Sequence, residues 1–499
     1  MERIMRKQQL CELAAELDTS FEETGEAIVA DALPDLSDIV QSFAQVFVRE
    51  KSVQDGSVLV SGMIRMNTLC KPEGGGVVRS MEIPITFSQK LRLEDARGGM
   101  LAQCSASVTE AEGKLLNPRK LGVRTVVRLH IRLYRETESS VTSGIHGDES
   151  VQILTETLDT RELRAVCSKN FTVIEEPDIT QADVRDVLRS SVSVESTEAA
   201  VSHGRISCRG TAKLTLLYLD SRENLRTFQT ELPFTQVLEQ PGVEEQMQCS
   251  CLCSLRSLEL EPGEDADGEQ QTLSVTLGLC ADLQISAREQ YEVVKDAYST
   301  AAELNWTAQP HHYLAWKETV PGSVDIQQTV PAGETVSRIV QYLLAWTEDS
   351  LRDDGGWTVT LRADILFTKE DGSLVSVSRS FDTEIPVSGA VRPFFSIQQI
   401  TAAPEGDTVR ISARLSTEDT TQELTQVETV GDIAEGELYP RREQPELVLY
   451  YGGSQQELWP IAKRCHITQD EIRAANGLNA DSQDDQQLRT RVLLIPLMN

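Results

Sequence analysis

The chain has 499 residues, a net charge of −31 and a pI near 4.6. The acidity excludes a general binder of phosphate backbones, which needs clustered Lys and Arg, so nucleic acid is not among the expected partners. No apolar run approaches the roughly 18 residues of a membrane-spanning helix, and Met1-Glu2-Arg3-Ile4-Met5-Arg6-Lys7 is charged where a signal peptide would be apolar. The expectation is a cytoplasmic protein with no membrane insertion. Hydrophobic content of 40% supports packed cores, and with only 5% aromatic residues those cores are built from Leu, Val and Ile. The length leaves room for about three or four domains. Ten scattered cysteines in such a chain read as thiols, not as a disulfide framework.

In chain order, residues 1–30 come first as a lead-in. Leu10, Leu13, Ala14 and Leu17 follow helical spacing and predict a short amphipathic helix there. Residues 31–430 then carry one pattern three times, over 31–155, 156–300 and 301–430. A first landmark is Asp38-Ile39-Val40, Asp186-Val187-Leu188 and Arg338-Ile339-Val340. Next comes a long alternating strand. It is Val58/Val60/Gly62/Ile64/Met66 in the first copy and Ile206/Cys208/Gly210/Ala212/Leu214/Leu216/Tyr218 in the second. In the third it is Trp357/Val359/Leu361/Ala363/Ile365/Phe367. Period-two alternation of this length is a half-buried antiparallel strand.

An apolar-Pro pair follows in each copy, at Ile83-Pro84, Leu232-Pro233 and Ile385-Pro386. Pro84 to Pro233 is 149 residues and Pro233 to Pro386 is 153, a drift the first landmark shares. Proline cannot donate to a ladder, so these strands are expected at sheet edges. Each copy closes on another alternating strand: Val127/Leu129/Ile131/Leu133, Val275/Leu277/Leu279, and Val409/Ile411/Ala413/Leu415. Segments 148–159 and 301–333 read as connections with strand pieces of their own, and 261–271 as an acidic loop whose shorter counterparts are 117–120 and 404–407. Residues 431–445, acidic and then proline-bearing, read as a semi-rigid linker.

Residues 446–499 read strand, helix, helix, strand. Leu447 to Tyr451 is β-prone, and Leu458, Ile461 and Ala462 have helical spacing with Pro460 at an early helix position. Thr468 caps a second helix that stops at Asn476-Gly477, and Val492 to Ile495 is a strand closed by Pro496. Leu458-Trp459-x-Ile461-Ala462-Lys463, Asn476-Gly477-Leu478 and Leu494-Ile495-Pro496 resemble a LysM module, a small βααβ domain whose family binds N-acetylglucosamine polymers. Where that family has a Gly-Asp-Thr turn this chain has Gln455-Gln456-Glu457, and its final Pro-Gly is replaced by Leu488 to Arg491. With both glycan loops changed, a protein-docking groove edged by Ser454, Gln455, Gln456, Leu458, Asn476 and Leu478 is the stronger reading, and peptidoglycan binding is the alternative. Trp459 is expected in the module's core.

Candidate chemistry is sparse. Cys249, Cys251 and Cys253 share one strand face, yet no CxxC loop or nearby His accompanies them, so packing outranks a metal site. His311-His312 reads as a solvated loop pair, and His130, between Arg128 and Arg132, as surface. Gly74-Gly75-Gly76 lacks the Lys-Ser/Thr of a phosphate loop and reads as a hairpin turn. No HExxH or GxSxG motif occurs. No catalytic, cofactor or metal residue is assigned. An enzyme would need a polar cluster drawn from several strands.

The apolar-Pro strands, the Leu216-Leu217-Tyr218 strand end and Asp296-Ala297-Tyr298-Ser299-Thr300, taken with the C-terminal module, resemble the SipL family of spore-coat proteins with its SPOCS repeats. The resemblance implies a mainly β protein of three tandem antiparallel SPOCS-like domains plus a LysM-like βααβ end. It further implies a non-enzymatic scaffold without cofactors, in the mother-cell cytoplasm at the forespore surface or spore coat. Members of that family dock through LysM onto SpoIVA, the ATPase that polymerises as the coat's base layer. Self-association of the repeats is a further expectation.

Overall fold

The alternating runs form long strands. The computed structural model of the protein describes residues 1–31, 33–147, 149–264, 271–316, 323–385, 395–417, 423–440, 446–451, 457–478 and 492–497. The first six strands are β1 (Glu2–Ile28), β2 (Leu36–Gln54), β3 (Ser57–Pro72), β4 (Arg79–Arg92), β5 (Leu101–Asn117) and β6 (Lys120–His146). They form two antiparallel three-stranded sheets, β2-β3-β4 and β1-β6-β5. Alternate residues of both sheets, among them Val58, Val60, Ile64 and Met66 from β3 and Val127, Leu129, Ile131 and Leu133 from β6, pack into one core. Gly62 belongs to that alternating row because a Cβ there would stand 2.1 Å from the Phe47 carbonyl oxygen.

The same strand order recurs twice. The next six strands are β7 (Val151–Glu175), β8 (Asp186–Ser202), β9 (Arg205–Leu219), β10 (Leu225–Glu239), β11 (Gln248–Glu264) and β12 (Gln271–Ser299). They give β8-β9-β10 and β7-β12-β11. After β13 (Ala302–Ala315) come β14 (Ser323–Pro331), β15 (Arg338–Leu351), β16 (Trp357–Thr368), β17 (Leu374–Ile385), β18 (Phe395–Glu405) and β19 (Thr408–Thr417). These give β15-β16-β17 and β14-β19-β18. We call the three groups units one, two and three. β13 and β20 (Glu423–Leu438) extend the second unit's sheet to five strands, in the order β11-β12-β7-β13-β20. The chain ends in β21 (Glu446–Tyr451), α1 (Leu458–Cys465), α2 (Gln469–Asn476) and β22 (Val492–Leu497).

Pro84 and Pro233 lie in the edge strands β4 and β10, where a missing N–H costs the sheet nothing. Ile385 ends the corresponding edge strand β17, while Pro386 lies outside the described residues. Gly74, Gly75 and Gly76 make the β3–β4 turn, all with positive φ.

Several expectations are corrected. Leu10, Leu13, Ala14 and Leu17 lie in β1, not in a helix. A bulge between Leu13 and Ala15 shifts the strand's phase by one residue. After it Ala15, Leu17 and Phe21 alternate onto the first core, so two period-two rows joined by a bulge imitate helical spacing. Ladder pairing with β6 along nearly the whole strand overrides so weak a local signal. β1 therefore belongs to the first unit, not to a lead-in over residues 1–30. The connection expected over 148–159 is largely β7, from Val151 onward. The linker expected over 431–445 is β20 as far as Leu438, because this segment pairs with β13; residues 441–445 lie outside the described set. Of the loop expected at 261–271, residues up to Glu264 and from Gln271 continue the β11–β12 ladder, and 265–270 lie outside the described residues.

The units close into a ring. The first meander strand of each unit has a bulge at the last residue of its first landmark, between Ile39 and Gln41, Val187 and Arg189, and Ile339 and Gln341. A bulge takes its residue out of the ladder and leaves its carbonyl to find another donor. Each carbonyl is capped from the neighbouring unit. Asn67 Nδ2 of unit one donates to Leu188 O (2.8 Å), Thr227 Oγ1 of unit two to Val340 O (2.6 Å), and Ser376 Oγ of unit three to Val40 O (2.6 Å). Thr227 and Ser376 stand opposite Leu217 and Leu366; the equivalent Ser80, opposite Leu69, is bonded by Asn67. Leu69, Leu217 and Leu366 meet Leu188 and Val340 in one buried cluster on an approximate threefold axis. Beside it the buried Arg189 donates to the side-chain oxygens of Gln41 (2.9 Å) and Gln341. At the ring's flanks Lys51 pairs with buried Asp282 (2.8 Å) between units one and two, and Arg128 with Asp349 (3.3 Å) between units one and three.

Removing one cap should strand a buried carbonyl. Ser376→Ala is expected to destabilise the protein by about 1–3 kcal/mol, read as a lowered midpoint in urea unfolding with unchanged m-value. Wild-type stability would show that this contact does not hold the ring.

Candidate functional site

Two places qualify as candidates: the C-terminal module and the polar clusters between the sheets. In the module, Leu458, Trp459, Ile461 and Ala462 form the buried stripe of α1. Thr468 and Glu471 form a reciprocal capping box at α2, and Gly477 ends it with φ +63°. These helices pack on Leu493, Ile495 and Leu497 of β22. The Asn476 amide is spent inside the module. Its Nδ2 donates to Ile472 O (2.8 Å) and Leu494 O (2.7 Å), and its Oδ1 accepts from Leu494 N (2.8 Å). Of the six groove residues expected from sequence, Leu458 is core, Asn476 is a brace between α2 and β22, and Leu478 is packed against the core. Ser454, Gln455 and Gln456 lie outside the described residues.

The module is seated on the second unit. Tyr298 Oη of β12 donates to Ile467 O (2.7 Å), and its ring meets Trp459 edge-on with centroids 4.9 Å apart. Trp459 Nε1 donates to Asp296 Oδ2 (2.8 Å), while Lys463 Nζ lies 2.5 Å from Asp296 Oδ1. Burial pushes the Tyr298 phenol pKa up, with the neighbouring Glu471 and Asp296 adding to the shift. The Asp296-to-Thr300 run that stood out in the sequence thus contains the seat of α1 and of Ile467 after it. Trp459 is in the module's core as expected, and its indole N–H serves this contact as well.

What the sequence reading missed is the outer face of β21. Leu447, Leu449 and Tyr451 are 64%, 51% and 73% exposed, opposite Pro496, Leu494 and Val492 on β22. Their period-two spacing was the available signal. Asp296→Ala should loosen the seat by about 1.5–3 kcal/mol, the range for hydrogen bonds to a charged group. Faster amide hydrogen exchange is then expected in 458–476 with the second unit's core unchanged.

The polar clusters correct two histidine expectations. His130 is 6% exposed, because the face of β6 that carries it is covered by the second unit. Its Nε2 lies 2.9 Å from Glu16, which also meets Arg132 (3.1 Å). The hydrogen bond from His130, first, and then the charge of Arg132 lower the Glu16 pKa from 4.5 to about 2, against burial. His311 is in β13, buried, with Nε2 2.9 Å from Tyr291 Oη, while His312 points outward. β13 joins β7 through the single pair Ala315↔Thr160, and a cavity of about 370 Å³ lies where they diverge. Cys11, Glu162, Tyr291 and His311 line it. Burial pushes the Glu162 pKa up, the His311 pKa down and the Tyr291 pKa up to about 12.

Such opposed shifts mark candidate sites, but structural ion pairs produce them too. Here Gln8 (2.6 Å) and Arg164 (2.7 Å) already engage Glu162, and Arg6 sits 4.3 Å over the Tyr291 ring. Cys11 has no activated thiol, since burial raises its pKa. The arrangement is that of a sheet junction. Cys249, Cys251 and Cys253 lie on β11 and pack in or against the second core, with Cys251 and Cys253 Sγ atoms 3.7 Å apart. The Cys251 thiol, first, and burial raise the Cys208 pKa, and burial lifts Cys104 to about 12, with Lys51 opposing and Asp282 adding to the shift.

Glu16 gives a pH prediction. Its folded pKa is depressed, so the unfolded chain takes up the proton first. Its stabilisation is present above 4.5 and lost as the pH falls towards about 2. Glu16→Gln should flatten the fall in melting temperature across that window; an unchanged slope would remove Glu16 from the account.

Residues 183–261 match the family model described as SipL, SPOCS domain. The matched segment covers β8, β9 and β10 and most of β11. The match supports a sporulation-related, SipL-like protein, and SPOCS domains are not a known enzyme family. No curated protein and no solved structure matches the chain. Among the described residues no helix is long and apolar enough to cross a membrane.

Proposed function

We propose that this protein is a non-enzymatic scaffold of spore-coat assembly, with three SPOCS-like domains in tandem and a LysM-like end. The carrying observation is that the SPOCS match falls on the central one of three groups sharing a single strand order. β2 to β5 and β15 to β18 stand where β8 to β11 stand in the matched unit. On this reading the ring is a rigid body that holds the C-terminal module on the second unit. The module docks onto a coat base-layer protein, a SpoIVA-like ATPase, at the forespore surface in the mother cell. The exposed Leu447, Leu449 and Tyr451 support a protein ligand, since contiguous exposed apolar side chains mark protein interfaces.

The test is capture of a purified SpoIVA-like ATPase, and of peptidoglycan, by the full chain and by the Gln455→Ala/Gln456→Ala variant. Specific capture of the ATPase, weakened about tenfold or more in the variant with melting unchanged, supports the reading; a tenfold change is about 1.4 kcal/mol. Retention on peptidoglycan with no ATPase bound would reverse it in favour of wall binding.

A further inference from the structure

The C-terminal module has one sealed sheet edge and one open edge. Its sheet consists of β21 and β22, six residues each. On the far side of β22, Leu494 N donates to Asn476 Oδ1 (2.8 Å), and Leu494 O accepts from Asn476 Nδ2 (2.7 Å). On the same side Pro496 has no N–H to offer. That edge is closed to a further strand.

The same two residues fix which way the backbone of β21 points. In an antiparallel ladder, opposed residues alternate between pairs that exchange hydrogen bonds and pairs that do not. Leu494 spends both its backbone groups on Asn476, so its pair with Leu449 is of the second kind. The pairs Leu447↔Pro496 and Tyr451↔Val492 lie two residues to either side and share that class, with which the missing N–H of Pro496 agrees. The N–H and C=O of Leu447, Leu449 and Tyr451 therefore point away from β22. They meet no further strand among the described residues. The side chains of these three residues are exposed, and on the opposite face Val448 is 40% exposed as well. A strand apolar on both faces is ordinarily an interior one, covered on both sides. Here it stands at an edge, with no proline, charge or bulge from Leu447 to Tyr451 to blunt it.

We propose that β21 receives an extended segment of the base-layer partner, which adds to the module as a third strand. Its main chain pairs with Leu447, Leu449 and Tyr451, and its apolar side chains lie against theirs. The inference rests on the docking reading above and names the contact. A second copy of this chain is the poorer complement, because each copy carries a net charge of −31 and like-charged copies repel. The segment is therefore apolar and set in a basic surface.

The test uses the full chain and the purified SpoIVA-like ATPase. In the complex, the amides of Leu447, Leu449 and Tyr451 should exchange at least about tenfold more slowly, read at single-residue resolution. Val448 and Tyr450, whose N–H groups face β22, should change little. Leu449→Pro removes an outward N–H and leaves the ladder to β22 whole, since an edge strand tolerates proline with its nitrogen towards solvent. It is expected to weaken capture at least about tenfold, the factor that corresponds to about 1.4 kcal/mol, with melting temperature unchanged. Tyr451→Pro makes the same change at the strand's end, should Leu449→Pro fail to fold. Undiminished capture by a proline variant that melts normally, or a complex in which the three amides exchange as in the free chain, would overturn strand addition and leave the docking reading standing. No capture by the wild type would overturn both. A dimer of the free chain in sedimentation, abolished by Leu449→Pro, would assign the edge to a second copy and overturn the partner named here.

Discussion

Three backbone carbonyls decide how this molecule is put together. A bulge in the first meander strand of each unit withdraws Val40, Leu188 and Val340 from their ladders at a place that the neighbouring unit buries. A buried carbonyl without a donor costs about 1–3 kcal/mol, so each unit is incomplete until its neighbour supplies Asn67, Thr227 or Ser376. Contacts of this kind run head to tail, and head-to-tail contacts form either an open filament or a closed ring. Here the third unit returns to the first, and the ring closes.

Closure explains features that are odd in an isolated sandwich. The central meander strands alternate along most of their length and then become buried on both faces, at Asn67 to Cys70 and again at Leu214 to Leu219. One face there belongs to the unit's own core and the other to the axis. Arg189 stands where the other units have glutamine, and it reaches both. Burial lowers its pKa to about 10, with Asp364 opposing the shift. Three arginines at one axis would repel one another, whereas one arginine between two glutamines donates to both. This departure from threefold symmetry also makes the second unit distinct, and that unit carries the extra strands β13 and β20 and the C-terminal module.

The module is a separate small core joined to a large one by a few directed contacts. Asp296 holds two donors and Tyr298 a backbone carbonyl, so position and orientation are both specified. On the proposed scaffold reading, this construction presents the module at a defined place on a rigid body. Binding then loses less conformational freedom than it would with a loose tether.

The sequence by itself determined the strand content, the three matching sets of landmarks, the edge placement of Pro84 and Pro233 and the capped helices of the module. All of these rest on local physics: period-two burial, a missing N–H, and a hydroxyl opposite a glutamate. Tertiary structure alone decided that residues 2–28 are a strand, because β1 follows its pairing with β6 and not its own spacing. It alone showed that His130 and His311 are buried, since the covering surfaces come from residues more than a hundred positions away or from a sheet added later in the chain. The axis and the seat at Asp296 were equally out of reach. Val40, Leu188 and Val340 were visible as a recurring landmark, and Asp296 as part of an unusual run. What each one touches depends on contacts between distant segments, which no local pattern encodes.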